Sequence, residues 1–241
     1  MGVVVVDTLE AALAACERLR AVKLLALDVE WEEADHTQVS LVQVARASDE
    51  IYVFDALALG QRLFEASLLL PLLSDPSIIK LCFDCRGDAS VLFQRHGVRT
   101  LHALYDLQIV YASLFAHDDG YLRGLHRALE HALEPEEARR FTQRKVALKR
   151  RRFFDALRCR PLSSETVEYA AHDVAHLFAL HRLWSPLFSK RAVLLASMQR
   201  MRASIHGPAT PVAAKSRIDF PLMRPLRLAF VHPRNLDAAA V

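Results

Sequence analysis

Apolar positions cluster in short β-branched runs early in the chain and fall into helical spacing later. Val3–Val6 is such a run and reads as a strand. Asp7 or Thr8 then offers a cap for an amphipathic helix reaching Arg20. Three strand-like segments follow in quick succession. KLLALDVE (23–30) reads as buried, VSLVQVAR (39–46) alternates, and EIYVFDA (50–56) is rich in β-branched and aromatic residues. A leucine-rich helix is expected over Arg62–Leu73, stopped by Ser74, Asp75 and Pro76. IIKLCF (78–83) is another buried strand, followed by a helix after Gly87 that ends at Gly97. LHALYD (101–106) leads into a series of helices, among them SSETVEYAAHDVAHLFALHRLW, capped by Ser163 or Ser164. Strands come first, one more strand is inserted after a helix, and helices follow. That order implies an α/β fold with a mixed sheet flanked by helices.

Composition agrees with a folded body. Of 241 residues, 52% are apolar and 24% charged, which excludes a disordered chain, and 7 Gly with 10 Pro exclude a low-complexity one. No apolar run approaches the ~20 residues that span a bilayer, so no membrane partner is expected. The start lacks a basic leader, with Asp7 and Glu10 arriving early. Four scattered cysteines do not make a disulfide framework. The expectation is an intracellular location, cytoplasmic or nuclear, with an organelle left open. The net charge of +3 hides a segregation. Residues 139–160 carry ten Lys/Arg against Asp155 alone, and from Lys190 onward nine face only Asp219 and Asp237. The remaining body is therefore acidic. Such a chain can hold metal at one place and phosphates at another, although basic runs also occur as solvated helix faces.

Asp28 and Glu30 lie two apart at the end of a buried strand, so period-two geometry turns both carboxylates to one side of the sheet. Two acids ending an apolar strand are costly unless a cation pairs them. Asp88 falls just inside a helix that follows a second buried strand. Tyr169 and Asp173 are spaced four apart and share a helix face. Taken singly, each is an ordinary strand end or helix surface; together they form an ordered set of acids.

With these residues in view, the chain resembles the DEDD superfamily of 3′–5′ exonucleases, in the DEDDy subgroup that includes ribonuclease D. LALDVEW is similar to the first family motif, and SLVQVA resembles the strand after it. KLCFDCRGDASVLFQRHGV is similar to the second, LYDLQIVYASL to the helix beyond it, and RPLSSETVEYAAHDVAHLFAL to the third, Tyr-x-x-x-Asp. FDCRGD is especially similar to the Egalitarian-like branch. The resemblance covers about residues 5–185 and implies a ribonuclease-H-like fold, with an exonuclease domain over 1–189 and a basic C-terminal extension over 190–241. It also implies a two-metal hydrolysis centre taking Mg²⁺ or Mn²⁺. Asp28 would bridge both ions, Glu30 and Asp173 would complete the nucleophile-side ion, Asp88 would hold the second largely through water, and Tyr169 would orient the attacking water. The implied products are nucleoside 5′-monophosphates released from a free 3′ end.

Some features depart from the family. Asp84 stands where many relatives have His, the cationic stretch 139–152 replaces the usual segment before RPL, and nothing familiar follows Leu187. Arg144, Lys145, Lys149, Arg150, Arg151 and Arg152 are candidate phosphate contacts for single-stranded nucleic acid, RNA ahead of DNA. Trp31 and Phe83 can either border a terminal base or pack in the core. Cys82 and Cys85 fit a C-x-x-C pattern, but no second pair exists, and buried small hydrophobes explain them better than zinc. Asp55 and Asp106 are expected to cap or end strands. The competing reading is a catalytically weak RNA-binding adaptor or a structural subunit of a ribonucleoprotein. The sequence leaves oligomeric state open.

Overall fold

The computed structural model describes residues 2–31, 38–99, 101–115, 121–149 and 153–206. Six strands, β1 (Gly2–Val6), β2 (Leu24–Trp31), β3 (Val39–Ala47), β4 (Glu50–Asp55), β5 (Ile79–Cys82) and β6 (Leu104–Asp106), form one sheet in the order β1-β4-β3-β2-β5-β6. β3 pairs antiparallel with both β2 and β4; every other pairing is parallel. This is the mixed sheet that the order of elements predicts.

Alternation along each strand separates two cores. Leu25, Leu27 and Val29 of β2 enter the first, under α1 (Leu9–Arg20), α2 (Ala56–Leu59), α3 (Leu69–Ser74) and α4 (Arg86–His96). Ala26 of β2, with Leu41, Ile51, Val53 and Leu81, enters the second. There it meets α5 (Leu107–Leu114), α6 (Leu125–Ala132), α7 (Pro135–Lys149), α8 (Phe153–Arg158), α9 (Ser164–Ala175) and α10 (Leu177–Trp184). Local chemistry settles the caps. Thr8 accepts the Ala11 N–H at 3.2 Å, Ser163 accepts that of Thr166 at 3.1 Å, and Gly97 ends α4 at φ 67°, a left-handed position natural to glycine. Asp55 and Asp106 do end strands, and each caps the following helix.

Three sequence expectations change. The helix expected over Arg62–Leu73 is broken into a 3₁₀ turn at Gly60–Phe64 and the separate α3. Pro71 supplies the reason: it has no N–H to bond back to Ser67, so a helix can begin near it but not run through it. Arg20 donates instead to the carbonyls of Ser67 and Leu68. The alternation read along 39–46 does not separate a buried from an exposed face in β3, because helices cover both sides of the sheet and even Gln43 is fully buried. The long C-terminal motif helix divides into α9 and α10 at His176.

A final helix, α11 (Lys190–His206), begins the stretch that sequence sets apart. It lies along the edge strand β6 against α4 and α5, with Val193 and Ala196 in the second core and Met201 in the first. The folded body thus continues to at least His206, and residues 207–241 lie outside the described residues. Among the described residues no helix is long and apolar enough to cross a membrane.

The basic segment 139–160 is partly spent on structure. Arg140 pairs with Glu136 at 2.5 Å. Arg160 forks onto the Asp55 carboxylate, which is 3% exposed, and donates to the carbonyls of Leu157 and Cys159. This joins the start of the third motif to the end of β4. Arg160→Ala would leave Asp55 buried without its countercharge, and urea denaturation should show a loss of about 3 kcal/mol.

Candidate active site

β2 and β5 are adjacent and parallel, so the chain leaving β5 for α4 emerges at the sheet end that carries Asp28 and Glu30. Both acids share the side of Ala26 and therefore face the α9 layer. α9 offers Tyr169 and Asp173, one turn apart and 6% and 7% exposed. Carboxylate oxygens of Asp28, Glu30 and Asp173 lie within 4.8 Å of one another. Asp28 and Glu30 are half-buried. At that spacing, and an effective dielectric of about 20, ionised carboxylates repel by about 3 kcal/mol per pair.

Asp88 occupies the first turn of α4 and is 6% exposed. It stands outside the close trio yet within its field. Burial, followed by the negative charge of Asp28 and then those of Asp84 and Glu30, pushes its carboxyl well above the usual carboxylate range. The donor set is all carboxylate, so it fits a hard divalent cation such as Mg²⁺ or Mn²⁺. Cys82 and Cys85 are buried free thiols, and burial drives the Cys82 thiol upward.

Other candidates fall into two groups. Trp31 lies over the start of α4: a β-carbon at Gly87 would come within 2.6 Å of its Cζ2, so glycine is what lets the indole sit beside Asp88. Phe83 is partly buried against the second core. Arg150, Arg151 and Arg152 lie outside the described residues, and of Arg144, Lys145 and Lys149 only the helical backbone of α7 is described.

Two residues escape a motif reading. Gln43 lies opposite Asp28 in the β2–β3 register, is fully buried, and has neither carboxamide atom hydrogen-bonded among the described residues. Its only sequence signal is a lone amide within an apolar strand. Arg200 on α11 is 9% exposed and bonded to Asp84, Asp106 and Gln108. Nothing local in the sequence distinguishes it from the other arginines of the basic tail.

Residues 3–186 match the 3′–5′ exonuclease family. The chain belongs to that family. Its relatives include ribonuclease D of Gluconacetobacter diazotrophicus, 29% identical over 189 residues that make up 75% of this chain and 42% of that protein. Ribonuclease D of Pseudomonas paraeruginosa is 29% identical over 220 residues, 89% of this chain and 53% of the relative. The chain thus spans about half the length of these curated relatives. Among solved structures, Trypanosoma brucei RNase D in complex with RNA U12 superposes with a TM-score of 0.77 at 26% identity, covering 93% of this chain and 79% of that one. The likeness agrees with a DEDDy, ribonuclease D-like exonuclease domain on a ribonuclease-H-like α/β fold.

The acid cluster generates a pH dependence. Asp88 has a raised folded-state pKa, so between the unfolded value and that raised value the folded protein binds the more protons. Without metal, this group therefore costs stability as pH rises through that window. In EDTA the melting temperature should fall from pH 5 to pH 8, and Asp88→Asn should flatten the fall. Millimolar Mn²⁺ should raise the wild-type curve most at pH 8.

Proposed function

We propose that the chain is a metal-dependent 3′–5′ exoribonuclease that releases nucleoside 5′-monophosphates by a two-metal mechanism. The observation that carries this reading is the convergence of Asp28, Glu30 and Asp173 within 4.8 Å, with Asp88 buried beside them. Mg²⁺ or Mn²⁺, when bound, would acidify a water and offset charge on the leaving oxygen of a phosphodiester. Asp28, Glu30 and Asp173 would hold the ions, with Asp88 completing the second position. Tyr169, one turn before Asp173, would direct its hydroxyl at the attacking water. RNA as substrate is supported by the ribonuclease D relatives and by the RNA held in the Trypanosoma brucei neighbour.

The test is incubation with 3′-labelled and 5′-labelled single-stranded RNA and DNA, with and without Mn²⁺. Metal-dependent loss of the 3′ label first, with RNA cut faster than DNA, is the expected result. Binding of RNA without trimming would leave an adaptor as the reading. Tyr169→Phe should lower turnover while substrate and metal affinity stay nearly intact, as expected of an interaction made in the transition state.

The same reading assigns Arg150, Arg151 and Arg152 to the phosphate track. Replacing all three by Ala should reduce the slope of log affinity against log salt by roughly 0.7 per lost contact, measured by fluorescence anisotropy on labelled RNA. An unchanged slope would remove these arginines from the interface.

A further inference from the structure

Beyond the acid trio, a second charged cluster lies buried where α11 crosses the ends of β5 and β6. Arg200 donates to Asp106 Oδ2 at 2.5 Å, to Gln108 Oε1, and to Asp84 Oδ1 at 3.2 Å. Asp106 is fully buried and Gln108 nearly so. Ser197 Oγ accepts the Asp106 N–H at 2.9 Å, and Ser204 Oγ donates to the Arg86 carbonyl at 3.1 Å. Positions 197, 200 and 204 are spaced by three and four, so one helix face makes all these contacts.

What this face grips is the turn leading to Asp88. Asp84 leaves β5 in the left-handed region, at φ 64°. Its N–H donates to Asp106 Oδ1 at 2.9 Å, and its carboxylate receives both Nε (2.5 Å) and Nη2 (2.8 Å) of Arg86. Arg86 opens α4, and Asp88 follows two residues later in the same first turn. A first helical turn is the part most able to fray. Asp28 and Glu30 also repel the carboxylate it carries. Holding it there requires a brace from outside, and Arg200 supplies one that keeps its charge at any working pH.

We propose that Arg200 is a positioning residue for the metal centre: through Asp84 and Asp106 it fixes the turn that holds Asp88 toward Asp28, making α11 a working part of the exonuclease domain. This rests on the metal-dependent reading above. It also gives a role to Asp84, whose departure from the family's usual histidine places a carboxylate where Arg200 and Arg86 converge.

The experiment uses the full chain. Free Mn²⁺ is followed by electron paramagnetic resonance during titration, and kcat and KM are measured on a single-stranded oligoribonucleotide. The variants are Arg200→Met, Arg200→Lys, Asp84→Asn, Asp88→Asn and the Arg200→Met/Asp88→Asn double. Arg200→Met should weaken Mn²⁺ binding and lower kcat by about tenfold each, with KM for RNA changed by no more than about twofold. Arg200→Lys should recover part of the loss. On an Asp88→Asn background, Arg200→Met should have no further effect on Mn²⁺ affinity, because the two act through one group. Should Arg200→Met fail to fold, Asp84→Asn decides the matter. Asparagine tolerates the left-handed backbone and leaves the Arg200–Asp106 pair in place, and a smaller loss in the same direction is expected. The proposal is overturned if folded variants bind Mn²⁺ and turn over as the wild type does, or if the Arg200→Met loss is equally large without Asp88. A wild type that binds no Mn²⁺ overturns the metal reading and this proposal together; one that binds Mn²⁺ separates the two.

Discussion

Four carboxylates gathered at one end of the central strands repel one another, and much of the surrounding structure acts to hold them in place. Asp28 and Glu30 are fixed by β2, which pairs with β5 as far as Ala26 and with β3 through both acids. Asp173 comes from the last turn of α9, a helix that leads directly into α10 and whose apolar face is anchored in the second core. Asp88 rides on a first helical turn. There the structure adds charge-assisted hydrogen bonds from Arg86 and Arg200 onto Asp84 and Asp106. A metal site needs its ligands held before the ion arrives, and repulsion between them makes unaided placement unfavourable.

Cations consequently do structural work inside this chain. Some are interior struts: Arg160 on Asp55 and Arg200 on Asp106 each neutralise an acid that is almost fully buried while capping a helix. An arginine suits this work because its planar fork meets two acceptors at once and it does not lose its proton on burial. Net charge counted along the sequence cannot identify such a strut, because Arg160 looks like any other arginine of its segment until the fold brings Asp55 to it.

Topology explains why acids from 28, 30, 88 and 173 meet. β3 runs antiparallel beside β2, and β5 then returns parallel on β2's other side, so motif one and motif two exit at the same sheet end. The later helices then cover the α9-side face that Ala26, Asp28 and Glu30 share. The same crossover geometry puts β6 on the edge, and α11 covers it. Closing an edge strand and bracing the Asp88 turn are thus done by one helix.

The sequence by itself determined the strand run at 23–30, the same-side placement of Asp28 and Glu30, a serine cap at 163 or 164 and the Tyr169–Asp173 spacing. Each depends on periodicity or on hydrogen bonds between near neighbours, which a local reading captures. It misread the 62–73 helix because leucine spacing outweighed Pro71, and alternation in β3 could not show how far a helix layer buries its second face. Only the tertiary structure decided that Asp88 stands beside rather than within the close trio, that Gln43 lies buried against Asp28, and that Arg160 pairs with Asp55. The tie from Arg200 to Asp84, 116 residues away, was likewise invisible. These are contacts between distant segments, fixed by how two cores pack on one sheet, and no pattern within either segment encodes its partner.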